Sequence, residues 1–241
     1  MMMEINNDDD DAMTAVPSPE IPTYDMRFLN PSSFMLAGPS QSGKTTFALN
    51  LLRNIDTMFE KPSCRANVIY FYHAWQKQFK LFQQESIVHE WRNYLPTTKD
   101  IDDVTAGYLE TGSIIVIDDF QEELNSDTVK IFTTQCHHRN CVLILLAQNI
   151  FCPKVGFRTI SLNSTYIIMF KNPRDASQIT CFAKQFSPGA NSWLVKAYRE
   201  ATRNPHSYLL FDSHQATLEW MRVRSHMLPH ELPIRLYVLE K

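Results

Sequence analysis

No apolar run in the 241 residues reaches the roughly 18–20 needed to cross a bilayer, so no membrane-spanning helix is expected. No two cysteines have C-x-x-C spacing, and their number is odd: Cys64, Cys136, Cys141, Cys152 and Cys181. That pattern fits free thiols in a reducing compartment rather than a disulfide framework. The first residues lack the basic and apolar regions of a signal or transit peptide and carry Glu4 and Asp8-Asp9-Asp10-Asp11 instead, so an intracellular protein is expected. Internal repeats are absent. Glycine is scarce, with only 6, so two of them in one short motif carry information.

An apolar fraction of 44% excludes a wholly disordered chain, and the length suits one α/β domain with a sizeable core. Charge is divided unevenly. Residues 1–129 carry a net −11 and residues 130–241 a net +8, so the second half is the one suited to phosphates. An acidic tail combined with ordinary surface Lys and Arg would give the same split.

Residues 1–26, polar, acidic and punctuated by Pro17, Pro19 and Pro22, read as a disordered arm. From residue 27 to 212, short β-branched or aromatic runs alternate with helical periodicity, the pattern of a mostly parallel α/β sheet flanked by helices. Strands are expected at Phe34–Ala37, Asn67–Tyr72, Ile114–Ile117, Val142–Leu146, Tyr166–Phe170 and Tyr208–Phe211. Their continuous apolar character marks strands buried on both faces. Helices are expected from Gly43 to about Asn54, from about Gln78 to Tyr94, and from a Ser126 or Asp127 cap through Val129, Phe132 and Cys136. Further helices are expected after an Asn172-Pro173 start and around Ser192 to Arg203. Residues 213–241 have a weaker pattern and read as a tail or a small extra element. Cys136, His137, His138 and Cys141 are metal-ligand types, but the turn from helix end into buried strand scatters them, so zinc is not expected.

Gly38-Pro39-Ser40-Gln41-Ser42-Gly43-Lys44-Thr45 matches the phosphate-loop pattern G-x-x-x-x-G-K-S/T between a predicted strand and a predicted helix. Gly38 and Gly43 let the loop curl around phosphate, and successive N–H groups at the helix N-terminus face the anion. Lys44 is placed to reach the β- and γ-phosphates of ATP and the Thr45 hydroxyl to ligate Mg²⁺, with Thr46 completing the binding segment. A plain strand–turn–helix has no use for Lys and Thr at those offsets.

Asp118-Asp119 ends the buried run Ile114–Ile117. Adjacent carboxylates at a strand's carboxyl end project to different sides of the site edge. Asp118 is assigned to Mg²⁺ and Asp119 to the attacking water, with Glu122 and Glu123 as competitors and a helix cap as the other use of Asp119. Gln148, at the end of the next buried strand, suits a side chain that senses the γ-phosphate or orients water, rather than one that merely closes off backbone groups. Tyr70 to Gln76, including His73 and Trp75, form a candidate nucleotide- or DNA-facing loop, while Tyr70 and Tyr72 themselves read as core packing.

These motifs, together with Cys136-His137-His138-Arg139-Asn140, Ala147-Gln148-Asn149-Ile150-Phe151, Arg158 to Asn163 and Phe170 to Asp175, resemble the FtsK/HerA superfamily. Within it they resemble the genome-packaging ATPases of Polinton/Maverick elements and adintoviruses, relatives of the poxvirus and adenovirus enzymes. The resemblance spans about Phe34 to Phe211. It implies a RecA-like (ASCE) P-loop fold and an ATP-driven translocase that moves double-stranded DNA into a capsid. It also implies a ring whose neighbour inserts an arginine, a capsid or portal partner, and a place in the host nucleus, the viral assembly site or the virion. Arg139 is the first candidate for that arginine, with Arg158 and Arg174 behind it; a DNA-phosphate contact or a surface ion pair is the other use of each. Many relatives carry Glu where this chain has Asp119, so the catalytic carboxylate lies between Asp119 and Glu122. A nucleotide-gated assembly factor and a single-strand helicase are the rival functions; DNA-stimulated hydrolysis and translocation without unwinding separate them.

Overall fold

The structure, a computed structural model, describes residues 24–239 except Val155. The acidic arm expected over residues 1–26 therefore lies, up to residue 23, outside the described residues. Nine strands form one sheet among them: β1 (Ser32–Ala37), β2 (Val68–Tyr72), β3 (Glu90–Arg92), β4 (Ser113–Asp118), β5 (Cys141–Ala147), β6 (Tyr166–Phe170), β7 (Tyr208–Asp212), β8 (Val223–Ser225) and β9 (Arg235–Leu236). Their order is β3-β2-β4-β5-β1-β6-β7-β8-β9. The first six in that order pair in parallel, and β7, β8 and β9 join antiparallel.

Every position of β1, β4 and β5 is buried, because helices cover both faces. One face packs Phe34, Leu36, Val116 and Ile144 beneath α1 (Lys44–Arg53), α2 (Ile55–Met58) and α3 (Phe79–Gln84). The other packs Met35, Ile69, Ile115 and Leu143 beneath α4 (Thr98–Thr105), α5 (Ser126–Lys130), α6 (Cys136–His138), α7 (Phe157–Asn163), α8 (Ser177–Phe186) and α9 (Asn191–Ala201). A π-helical turn, Ile131–Gln135, joins α5 to α6. Among the described residues no helix is long and apolar enough to cross a membrane.

Register does the positioning. Strand β5 lies between β1 and β4, with Leu146 opposite both Leu36 and Asp118, and Ala147 opposite Ala37. The residues that follow these strand ends, Gly38, Asp119 and Gln148, are thereby brought to one edge of the sheet. Ligands in parallel α/β folds gather at that edge.

Three sequence expectations fail for identifiable reasons. The helix expected over about Gln78 to Tyr94 stops at Gln84, Ser86 turns left-handed at φ 53°, and Glu90–Arg92 pairs with β2 instead. There the His89 ring accepts the Val68 N–H at 3.1 Å and Trp91 packs on Tyr70 with ring centroids 5.0 Å apart, contacts that outweigh helical propensity. The cap of α5 is Asn125, whose Oδ1 accepts from the N–H groups of Asp127 and Thr128, not Ser126 or Asp127. Asn172 makes a local turn to the N–H groups of Arg174 and Asp175, and α8 begins only at Ser177. Of residues 213–241, expected as a tail or small extra element, the described ones contribute β8 and β9 to the main sheet.

Candidate functional site

Gly38 to Thr45 runs from the end of β1 into the first turn of α1. Two glycines are required for different reasons. At Gly38 a Cβ would sit 2.7 Å from Ser42 Oγ and 2.8 Å from Phe170 Cβ, so only glycine lets the loop start close to β6. Gly43 caps α1 with φ 101°, a conformation that L side chains rarely adopt. The helix behind it presents its free N–H groups and positive dipole end to the loop.

Lys44 donates to the carbonyls of Gly38 at 2.6 Å and Pro39 at 3.0 Å. Burial pushes its pKa down, and the nearby carboxylates of Asp118 and Asp119 push it back up. A cation resting on two neutral carbonyls in a partly dehydrated site is poised to exchange them for phosphate oxygens.

Asp118 is buried at the end of β4. Its Oδ2 accepts from the Tyr70 hydroxyl at 2.7 Å and the Thr45 hydroxyl at 3.3 Å. Burial raises its pKa to about 6; the Tyr70 hydrogen bond opposes this, Asp119 adds to it, and Lys44 and Thr45 oppose it. Asp119 is exposed and left-handed, at φ 66°, a conformation an aspartate tolerates better than most side chains. That turn aims it away from Asp118 and toward Gln148, whose Nε2 donates to Asp119 Oδ1 at 3.1 Å. Gln121, buried two residues further on, holds the end of β5: its Oε1 accepts the N–H of Gln148 at 2.6 Å and of Asn149 at 3.2 Å.

Lys44, Thr45, Asp118, Asp119 and Gln148 line a cleft of about 560 Å³, within the range of small-molecule and cofactor sites. Its walls include Ser40 through Phe47, Asp118, Asp119 and Gln148, so the sequence candidates Ser40, Gln41, Ser42, Gly43, Lys44, Thr45 and Thr46 meet both acids and the Gln148 amide there, while Gly38 and Pro39 lie behind them. Gln76 lines it too, together with Gln78, whose Oε1 accepts from the Thr46 hydroxyl at 3.3 Å. Tyr70, expected to be core packing, is fully buried among aromatics and also donates to Asp118, a role its apolar surroundings conceal in the sequence.

Other candidates are not brought there. Glu122 is exposed and pairs with Lys154 at 3.2 Å, and Glu123 pairs with His73 at 3.0 Å. Arg139 precedes β5 and so stands at the opposite sheet edge, a strand length or about 20 Å from its own phosphate loop. There it pairs with Asp102 at 2.5 Å. Arg158 opens α7 and Arg174 follows β6, both exposed. Cys136 and Cys141 are buried thiols, each pushed up to about 12 by burial, and Cys136 donates to the Ser32 and Cys141 carbonyls.

The cleft has a second half that the sequence did not reveal. Strand β7 runs antiparallel to β6, pairing Tyr208 with Phe170, so the turn before it returns to the phosphate-loop edge. His206 packs there against Gly43, and Tyr208, Leu228, His230 and Glu231 continue the wall.

A family model described as Poxvirus A32 protein matches residues 23–180. No curated protein matches the chain. Among solved structures it is similar to the genome packaging NTPase B204 from Sulfolobus turreted icosahedral virus 2. In the sulfate complex the identity is 16%, the match covers 88% of this chain and 99% of that one, and the TM-score is 0.53. In the AMPPCP complex the identity is 15%, the coverage 88% and 100%, and the TM-score 0.50. At these identities the likeness establishes a shared fold over nearly the whole of B204.

Proposed function

The chain belongs to the poxvirus A32 protein family, and from that premise we propose that it is an ATPase driving the packaging of a viral or virus-like genome into a capsid. The observation that carries this is the meeting, in one cleft, of Ser40 to Thr45 of the phosphate loop, the Thr45–Asp118 pair and the Gln148–Asp119 pair. The fold shared with a packaging NTPase crystallised with AMPPCP supports it.

ATP lies with its phosphates along Ser40 to Thr46, held by backbone N–H groups and by Lys44. Lys44 leaves the Gly38 and Pro39 carbonyls and meets the charge that develops on the transferring phosphoryl group. Thr45 and Asp118, hard oxygen donors that meet at 3.3 Å, are the residues that would hold Mg²⁺. When bound, the ion neutralises phosphate charge, and the Tyr70 hydroxyl keeps the Asp118 carboxylate oriented and ionised. Asp119 orients and deprotonates the attacking water. Gln148, tied to Asp119 on one side and to Gln121 on the other, responds to the presence of the γ-phosphate and passes that change to the loop after β5.

Duplex DNA, a ring of like subunits, a capsid or portal contact, and a site of action in the host nucleus, viral assembly site or virion complete the proposal. Within the ring a neighbour's arginine completes the site, and Arg139 is the residue proposed first. Because Arg139 stands at the edge remote from its own loop, it can act only on an adjoining subunit. The test is ATP turnover of wild type and Arg139→Ala with and without duplex DNA. Duplex should stimulate the wild type. The variant should bind ATP normally and lose turnover in both conditions, by about 10³-fold or more if the finger follows others. Mixing it with an inactive Asp119→Asn subunit should restore part of the rate. Unchanged basal turnover would move the finger to Arg158 or Arg174, and no effect of duplex on the wild type would contradict the motor.

A further inference from the structure

The cleft has two chemically distinct ends. At one, Asp118, Asp119 and Gln148 define where the γ-phosphate goes, on the β4–β5 side of the loop. At the other, across the loop on the β6–β7 side, lie Phe170, Tyr208, Leu228 and Glu231. A nucleotide whose triphosphate follows the loop therefore lays its base against this second group.

Glu231 is wired in a specific way. Its Oε2 accepts from the Tyr208 hydroxyl at 2.5 Å and from the Leu228 N–H at 3.1 Å. The same tyrosine oxygen accepts the Met227 N–H at 2.8 Å, so the turn after β8 is locked onto β7. Oε1 has no hydrogen-bond partner among the described residues, and the side chain is half-buried on the cleft wall. An anionic acceptor on a cleft wall shared with Phe170, Tyr208 and Leu228 suits a planar ring that carries an N–H donor on its edge.

Resting on the ATPase reading above, we propose that Tyr208, Leu228 and Glu231 form a nucleobase subsite, in which Glu231 Oε1 selects a 6-aminopurine by accepting its exocyclic amine. The wiring makes the selectivity invertible. In Glu231→Gln the amide nitrogen cannot accept a hydrogen bond, so the carbonyl oxygen must take over the Tyr208 and Leu228 donors. The NH₂ group then occupies the position of Oε1 and presents a donor to the base. A 6-oxopurine becomes the better partner.

The experiment is competitive binding to the full chain of ATP, ITP, purine riboside triphosphate (with no substituent at C6) and inorganic tripolyphosphate. Wild type should prefer ATP to both other nucleotides by about tenfold, the equivalent of one such bond. Glu231→Gln should prefer ITP. Equal wild-type affinity for ATP, ITP and the unsubstituted purine would overturn the subsite without any variant, so a misfolded substitution does not shelter it. An unchanged ATP-to-ITP ratio in a folded Glu231→Gln protein would overturn it equally. Tripolyphosphate should bind both proteins alike. Its failure to bind would remove the phosphate-loop reading and the subsite together, whereas tripolyphosphate binding with no base preference removes the subsite alone.

Discussion

Lys44→Ala is expected to fold normally and to lose ATP hydrolysis by at least about a hundredfold, the loss typical when one preorganised donor to a developing charge is removed. Lys44 is not a scaffold residue: among the described residues its side-chain hydrogen bonds go to the Gly38 and Pro39 carbonyls of its own loop. Lys44 itself lines the open cleft, where water can take its place, so stability should change little. Its burial between helix and loop holds the cation in a medium where charge interactions are stronger than in bulk water. Steady-state turnover, read beside an unchanged circular dichroism spectrum, checks this. Near wild-type hydrolysis would show that the phosphate loop is not the catalytic centre.

Asp119→Asn should also reduce turnover by about a hundredfold or more, the scale of a lost general base, while nucleotide binding is retained. Asparagine occupies the same volume, tolerates the left-handed φ of 66° and can still meet the Gln148 amide through its carbonyl. What it cannot do is take a proton from water. Asp118→Asn should behave differently. Its carboxylate is buried with the Tyr70 and Thr45 hydroxyls, so its loss should weaken Mg²⁺-dependent binding itself. Glu122→Gln, paired with Lys154 outside the cleft, should hydrolyse ATP nearly as wild type does. A dead Glu122→Gln beside an active Asp119→Asn would transfer the base to Glu122.

Much of this architecture was legible because the chemistry of a parallel sheet is written in runs of adjacent residues. Ile114–Ile117 and Val142–Leu146 are buried on both faces, so they carry no polar positions to blur them. The phosphate loop is contiguous, and Asp118, Asp119 and Gln148 each sit where an apolar run ends. Where function depends on distant partners, sequence adjacency is silent. Tyr70 reaches Asp118 across 48 positions, and its aromatic neighbours Phe79 and Trp91 give it the profile of a packing residue. Gln121 looks like one more polar residue in a loop until the sheet register brings the Gln148 N–H to it. The base end of the cleft is further hidden, because β7 reverses direction and returns residues beyond position 200 to a site built from residue 38 onward. Strand β3 was lost to helix periodicity for a related reason: its three residues are held by the β2 edge and by Tyr70 packing, which no local pattern records. Arg139 shows the opposite case, a residue singled out by resemblance that the fold carries to the remote edge, beside Asp102.

The proposal that ATP hydrolysis drives duplex movement is tested most directly by triplex displacement. A labelled third strand is bound in the major groove of a long duplex, and its release is followed after adding the protein with ATP. A packaging motor releases the third strand in an ATP-dependent manner without separating the duplex strands, and Lys44→Ala releases none. Hydrolysis that proceeds with the third strand left in place, or release only where the duplex itself is unwound, would contradict it.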